Sequence, residues 1–368
     1  MALDIRSFDS IAQVGRDFVA MMKETGIPFE VFDFHLSGFA GSFLSDRQVD
    51  DCLALAVDQI HSRNIILFAN KPVPVPRGLH CAITPFWEFQ EGLPEVSPTL
   101  LKSKKQLVAF SDFCFDYFKK VASKDVSVHK IRYPYLGARN VMSPRDEVRR
   151  AYGVPTDAFV CFFHFNLGSS VERKNPRGAL QAFAKAFAGT EDRAHLVLKV
   201  AGAPRTSELY RSVECQVSEA GLGGHVTLIN ECLTHDALLD LIASADVYMS
   251  LHRGEGFGIG MLEAISVGTP VVCTNYGGNT DFCKPDTSFL VDYQMVENTS
   301  ADSWFRFVRK WPEPNVNQAA HYLREIFEKP ELGVDKAKSA LKFVEQFFDR
   351  KRFADDVRHF MKKDVAHG

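Results

Sequence analysis

RGEGFGIGMLEAISVGTPVV, residues 253–272, runs from the end of one apolar strand through four glycines into a helix and on into the next apolar strand. The strand before it is DVYMSLH (246–252) and the strand after it is TPVVCTN (269–275). This succession makes a strand–helix–strand unit, and continuous apolar strands of this kind are buried on both faces. Glycines at 254, 256, 258 and 260 let the backbone come close to a ligand and take positive φ. The helix start offers free N–H groups and the positive end of its dipole to an anion such as phosphate.

The same alternation extends upstream. FVCFFHF (159–165), the helix NPRGALQAFAKAFAG, HLVLKVAG (195–202), VTLIN (226–230) and the helix THDALLDLIASA predict a doubly wound α/β domain. Nearer the N-terminus, Ile11, Val14, Phe18, Met21 and Met22 recur at helical spacing, and that helix stops at Gly26-Ile27-Pro28 before the strand PFEVFDF. The runs NIILFAN (64–70), QLVAF (106–110) and VSVHKI (126–131) predict a first α/β lobe. Between the lobes, at Tyr133–Glu147, two prolines and a glycine break the periodicity, which marks a linker. VDKAKSALKFVEQFFDRKRFADDVRHFMKK is helical in pattern without a strand of its own, so it must pack on something already built. A chain of 368 residues suits two cores better than one.

Composition excludes several classes. With 46% hydrophobic and 24% charged residues the chain is an ordinary globular one, and a formal net charge of -3 supplies no basic footprint for nucleic acid, so no nucleic-acid partner is expected. The eight cysteines form no CxxC pair and no zinc-spaced Cys/His cluster; they read as reduced core thiols, and no metal is expected. MALDIRSFDSIAQVGRDF lacks the pattern of a secretory leader, and no run reaches the roughly 18 apolar residues of a membrane span, so a cytoplasmic protein is expected. LLKSKKQ and DYFKKVASK, within residues 100–124, add local positive charge for peripheral contact with the inner face of a membrane; a solvated face is the plainer reading.

Glu255 and Glu263 bracket the glycine turn, one on the loop and the other about one turn into the helix, so both can face one ligand at different points. Ionised carboxylates are strong acceptors for sugar and ribose hydroxyls, and a pair of them suits a polyhydroxylated substrate. A dinucleotide fingerprint fails in every register, because the last position of G-x-G-x-x-G falls on Ile259, Met261 or Glu263.

The spacing from Glu255 to Glu263, the apolar helix, Gly-Thr-Pro-Val-Val and then TNYGGN resemble the retaining glycosyltransferases of family GT4. RKNPRGALQAFAKAF, TPFWEFQEGLP, LVAFSDFCFDYF and WPEPNVNQAA (311–320) resemble further segments of that family in the family's order. The resemblance implies the GT-B fold, an α/β architecture of two doubly wound Rossmann-like domains facing a cleft. It implies an acceptor domain over residues 1–140, a nucleotide-sugar domain over 141–340, and C-terminal helices over 341–368 that cross back to the first domain. It implies transfer of a hexosyl or deoxyhexosyl group from a nucleotide-diphosphate sugar to a glycan, lipid-linked or other hydroxyl acceptor, in polysaccharide synthesis of a bacterial kind. No cofactor or metal is required, and departure of the diphosphate is assisted by protein cations in a front-face mechanism.

By the same resemblance Lys174 belongs to the diphosphate site, with Arg173 beside it as a bidentate fork. Glu263 accepts from the ribose hydroxyls and Glu255 meets the transferred sugar. Gly256, Phe257 and Gly258 line the donor, and Gly277, Gly278 and Asn279 offer backbone N–H groups and an amide. Many members place an arginine six residues before the lysine; this chain has Gly168 there, and Arg253 is the candidate substitute. Trp87 and Glu88 are candidates on the acceptor side, the indole as a stacking face. The family's glycine-rich loop after the first strand has only SGFAGS (37–42) and Val14-Gly15-Arg16 as counterparts. The alternatives are another GT-B activity, such as an epimerase or phosphorylase, and a non-catalytic subunit that binds nucleotide sugar. The donor stays open among GDP-mannose, UDP-sugars and dTDP-rhamnose.

Overall fold

The structure is a computed structural model that describes residues 2–3, 10–33, 54, 64–67, 80–84, 87–91, 106–124, 126–190, 193–302, 305 and 307–365. SGFAGS and residues 100–105 of the basic run lie outside them, while Gly15 sits within the helix Ser10–Thr25. The chain divides into two compact units, one of residues 1–137, 303–308 and 345–368 and the other of residues 138–302 and 309–344.

In the first unit the strands β1 (Ala2–Leu3), β2 (Phe32–Asp33), β3 (Asn64–Leu67), β4 (His80–Ile83), β5 (Gln106–Ala109) and β6 (Ser127–Lys130) form a parallel sheet in the order β2-β1-β3-β4-β5-β6. The helix Ser10–Thr25 buries Val14, Phe18, Met21 and Met22, the stripe its periodicity predicts. Ser111 caps the helix Asp112–Val121 by accepting from the Cys114 amide. The C-terminal helix Arg350–Val365 belongs to this unit. Phe353 meets Phe18 with ring centres 5.1 Å apart, and Phe360 meets His129 at 5.0 Å. Arg132, just past β6, holds Asp356 through its amide (3.1 Å) and its guanidinium (2.6 Å). The helix thus packs into the core of this unit.

The second unit has β7 (Phe159–Asn166), β8 (Ala194–Ala201), β9 (Val226–Ile229), β10 (Val247–Ser250), β11 (Val271–Thr274) and β12 (Phe289–Val291), all parallel, in the order β12-β11-β10-β7-β8-β9. Chain order therefore runs outward from β7 to β9 on one side and from β10 to β12 on the other, so the direction of winding reverses between β7 and β10. Crevices at the carboxyl ends of strands form at such a switch point. Phe163, Phe165, Leu196 and Leu198 face the helices Pro176–Phe187 and Val316–Glu328 in one core. A hairpin of β13 (Tyr293–Glu297) and β14 (Lys310–Pro314), which no sequence signal announced, is antiparallel.

At the amino edge of the second sheet Arg149 is fully buried. It donates to the carbonyls of Ser244 (2.9 Å), Ala158 (2.8 Å), Thr156 (3.2 Å) and Pro155 (3.3 Å) and pairs with Asp246 at 2.9 Å. Burial lowers its pKa, which Asp246 partly opposes. Among the described cysteines, Cys114, Cys161, Cys273 and Cys283 are buried free thiols, as the sequence suggested. Cys215 and Cys232 are exposed, because they fall on an outward helix face and a loop. Among the described residues no helix is long and apolar enough to cross a membrane.

Candidate functional site

The site grows from the turns that follow β7 and β10. After β7 the chain passes through Ser170 (φ 67°) into the single turn Val171–Lys174, and through Asn175 (φ 56°, ψ 52°) into the helix Pro176–Phe187. Left-handed backbone at two non-glycine residues costs free energy, and local bonds must hold it. Asn175 Oδ1 accepts from the Gly178 amide (3.0 Å) while its Nδ2 donates to the Leu251 carbonyl (2.8 Å) just past β10. A Cβ on Gly178 would lie 2.5 Å from Asn175 Nδ2, so glycine there is required by the asparagine's fold-back.

Arg173 and Lys174 face the second turn. Arg173, 2% exposed, donates to the Gly254 carbonyl (2.7 Å) and to the Ser169 carbonyl (2.8 Å) and hydroxyl (3.1 Å). Its carbonyl accepts from the Arg253 amide at 2.8 Å. The guanidinium thus fastens the two turns together, and its Nη1 lies 3.9 Å from Glu255 Oε2. Lys174 Nζ donates to Glu255 Oε2 at 2.6 Å, and the two side chains are 17% and 16% exposed. Burial alone would raise the Glu255 carboxyl. The charges of Lys174, Arg173 and His252 and the lysine's hydrogen bond outweigh that and hold it at about 2.

The helix Ile259–Ser266 begins at Gly258, whose φ of 101° is left-handed; a Cβ there would come within 2.8 Å of Met261 Cε and 2.9 Å of Asn279 Cβ. Gly278 donates its amide to the Glu255 carbonyl (2.7 Å), and a Cβ on it would lie 2.0 Å from the Gly256 carbonyl oxygen. The turns 254–258 and 276–279 therefore touch backbone to backbone. Two details differ from the sequence reading. The Phe257 ring is buried against Phe282 (centres 5.4 Å apart), because an apolar ring gains more from the core than from a polar turn. The Asn279 amide turns inward to the Thr274 carbonyl (3.0 Å).

Glu263 lies on the first full turn of that helix, its side chain 11% exposed. Oε1 is 3.0 Å from His235 Nε2, and Oε2 is 3.7 Å from His164 Nε2. Burial raises this carboxyl; the His235 hydrogen bond and the charges of His235, His164 and Arg139 prevail and lower it. His164, at the end of β7, is depressed to about 4 chiefly by burial and is therefore neutral near pH 7. Its Nδ1 faces the Tyr248 hydroxyl at 3.4 Å. His252, fully buried, sits between the Ser250 hydroxyl (3.0 Å at Nδ1) and the Tyr276 carbonyl (2.9 Å at Nε2), bracing the 276–279 turn from below.

The structure thus brings Arg173, Lys174, Glu255, Glu263 and the glycine turns of the sequence reading into one neighbourhood. Arg253 stands apart from them: its guanidinium is bidentate on Glu313 (2.6 and 3.0 Å), donates to the Glu172 carbonyl (2.8 Å) and lies 5.0 Å over the Trp311 ring. β14 supplies both partners, and that hairpin was not foreseen. Trp87 is 6% exposed and packs with Phe89 and Phe305; its Nε1 donates to the Glu91 carbonyl (3.1 Å), so the indole is core rather than an open stacking face. Glu88 beside it is half-buried. His164, His235, His252 and Tyr248 were missed. For His164 and Tyr248 the available signal was a polar side chain in an apolar strand; His235, which opens a helix, and His252, past β10, carried none. Among the described residues no group of three or more His, Cys, Asp or Glu side chains is gathered to hold a metal ion.

Two Rossmann-like units, with a carboxylate, a lysine and glycine turns gathered at the switch point of the second, define the class as GT-B. Residues 145–303 match the family described as Glycosyl transferases group 1. Over 152 residues the chain is 33% identical to a D-inositol 3-phosphate glycosyltransferase of Corynebacterium urealyticum, covering 40% of this chain and 35% of that protein. Over 221 residues it is 28% identical to the protein of that description from a Nocardioides species, covering 57% and 46%. The matches therefore span about a third to a half of the length of these curated relatives. Among solved structures, HepE of Anabaena in complex with UDP and glucose superposes with a TM-score of 0.64 at 14% identity over 98% of each chain. WaaG, a glycosyltransferase involved in lipopolysaccharide biosynthesis, gives 0.61 at 13% identity over 95% of this chain and 96% of that one.

Proposed function

We propose that this chain is a retaining glycosyltransferase that moves a hexosyl or deoxyhexosyl group from a nucleotide-diphosphate sugar to a hydroxyl of a glycan or lipid-linked acceptor, without metal or cofactor. The observation that carries it is the 2.6 Å Lys174–Glu255 pair at the β7/β10 switch point, with Glu263 a helical turn beyond. The group 1 match over 145–303 covers these residues and supports the same reading.

Each group has a defined task. Lys174 brings its positive charge to the phosphate oxygens while holding Glu255. Arg173, with its donors turned to backbone, keeps the two turns in register so that Lys174 and the helix start at Ile259 act on one diphosphate. Glu263, fixed by His235, presents acceptor oxygens to the ribose. Glu255, ionised at any ordinary pH, accepts from the transferred sugar and stabilises positive charge developing at its anomeric carbon. In the step itself the bond from that carbon to the diphosphate oxygen breaks and a bond to the acceptor oxygen forms on the same face. The acceptor's proton passes to the leaving phosphate. Stabilising that phosphate is the main catalytic demand.

The test is incubation with UDP-, GDP- and dTDP-sugars labelled in the sugar, with a panel of hydroxyl acceptors, with and without chelator. Transfer with retained anomeric configuration and unchanged by chelator is expected. An inverted product, an epimerised free sugar or a strict metal requirement would overturn the reading.

A further inference from the structure

Lys199 is an ammonium in a place built for apolar residues. It lies near the carboxyl end of β8, in register with His164 of β7, within the otherwise apolar run LVLKVA. It is 8% exposed as a residue, and its Nζ keeps access to solvent. Burial lowers its pKa, and Cys232, Glu263 and Glu231 act in the opposite sense, so acceptors lie near it without touching it. Threading an amine through buried apolar side chains is costly, and Lys199 keeps only its tip in water.

Its location follows the order of the site. Glu255, Lys174 and the helix start lie at the carboxyl ends of β7 and β10, and Glu263 lies one turn further along. His164 on β7 and His235, which follows β9 and the loop Asn230–Thr234, hold Glu263, and β8 lies between those two strands, on the side of β7 opposite β10. A nucleotide with its sugar at Glu255, its diphosphate at Lys174 and its ribose at Glu263 brings its base to this side. Adenine offers only ring nitrogens as acceptors there, whereas uracil, thymine and guanine carry carbonyl oxygens.

We propose that Lys199 determines the nucleotide specificity of the donor site by donating to a carbonyl oxygen of the base, selecting oxo-bases over adenine. This rests on the donor-site reading above. Lys199 touches no reacting atom; its role is selection.

The experiment measures binding of UDP, GDP, dTDP, ADP and inorganic pyrophosphate to the full chain and to Lys199→Met and Lys199→Arg by titration calorimetry, with the melting temperature of each protein without ligand. In the unsubstituted protein at least one oxo-base nucleotide is expected to bind about 10-fold or more tighter than ADP, since a hydrogen bond from a charged donor has about that weight. Lys199→Met is expected to lose about 10- to 100-fold for that nucleotide, with pyrophosphate and ADP unchanged and the melting temperature equal or higher. Lys199→Arg is expected to lose less. ADP binding as tightly as the oxo-base nucleotides to the unsubstituted chain overturns the proposal whether or not the variants fold. So does a variant loss shared equally by pyrophosphate, which points to a phosphate contact. A lowered melting temperature with unchanged nucleotide selectivity makes the lysine structural and also overturns it. Failure of the unsubstituted chain to bind any nucleotide overturns the donor-site reading itself.

Discussion

At the scale of residues, the two glutamates share a helix and turn but have different surroundings. Glu255 is bound to a lysine, Glu263 to a histidine. Glu263→Ala is expected to raise the donor KM about 10- to 100-fold with kcat within a few-fold, and Glu255→Ala to lower kcat by at least as much with a smaller effect on KM. Steady-state kinetics decide this, and equal small effects from both would contradict it. Protonation gives a second prediction. His164 and His195 are both held at about 4, mainly by burial, below the ordinary histidine value of 6.5. The unfolded chain therefore binds protons first as pH falls, and the stability these buried neutral rings permit is full above 6.5 and lost as pH falls towards 4. Each contributes up to about 3 kcal/mol of that loss. The Glu255 carboxyl, depressed to about 2, adds its own loss only below the ordinary carboxylate range. Urea unfolding at pH 7 and pH 5 measures the histidine window; equal stability at the two would refute it, and His195→Gln should shrink the difference.

At the scale of elements, the site depends on turns that no single strand or helix provides. Gly258 combines a φ of 101° with close approach to Met261 and Asn279. Gly258→Ala is expected to cost about 1–3 kcal/mol and to weaken donor binding, because the helix start must shift to relieve the contacts. Thermal melts and nucleotide titration read the two effects, and an alanine variant as stable as the parent would show the turn to be less constrained than described. Much of this was legible in advance. The glycines at 254, 256 and 258 and the apolar strands on either side signalled a tight strand-to-helix turn, and β7 to β11 formed where the apolar runs lie. The hairpin of β13 and β14 was not legible. Its strands are separated by twelve residues, its pairing is non-local, and KWPEP carries two prolines that argue against a strand. The partners of Arg253 were hidden for the same reason: Glu313 and Trp311 reach it only once that hairpin exists.

At the scale of the whole molecule, the last helix belongs to the first core. Phe353, Val357 and Phe360 are buried, and Asp356 is bound by Arg132. Burial of three such side chains is worth about 5–8 kcal/mol, comparable with the stability of a whole domain. A chain ending at Asp349 is expected to lose the cooperative transition of the first unit in calorimetry; retention of that transition would count against the packing described. In the second unit Arg149→Met removes the side-chain donor of the Ser244 and Ala158 carbonyls while Asp246 keeps Arg145 and the Val160 amide, at a cost of about 1–3 kcal/mol measurable by denaturant unfolding.

The sequence by itself determined the α/β alternation, the glycine turn and the pairing of Glu255 with Glu263, because these are encoded in local periodicity and short spacing. It also singled out Lys174, through the RKNP segment. Only the tertiary structure decided that Lys174, 81 positions before Glu255, meets it at 2.6 Å, that Arg173 fastens turns instead of facing solvent, and that His164, His235 and Lys199 gather behind Glu263. The physical reason is the order of the parallel sheet. Strands adjacent in space but distant in sequence bring their carboxyl ends together, so the site's long-range partners exist only once β7, β8 and β10 are paired.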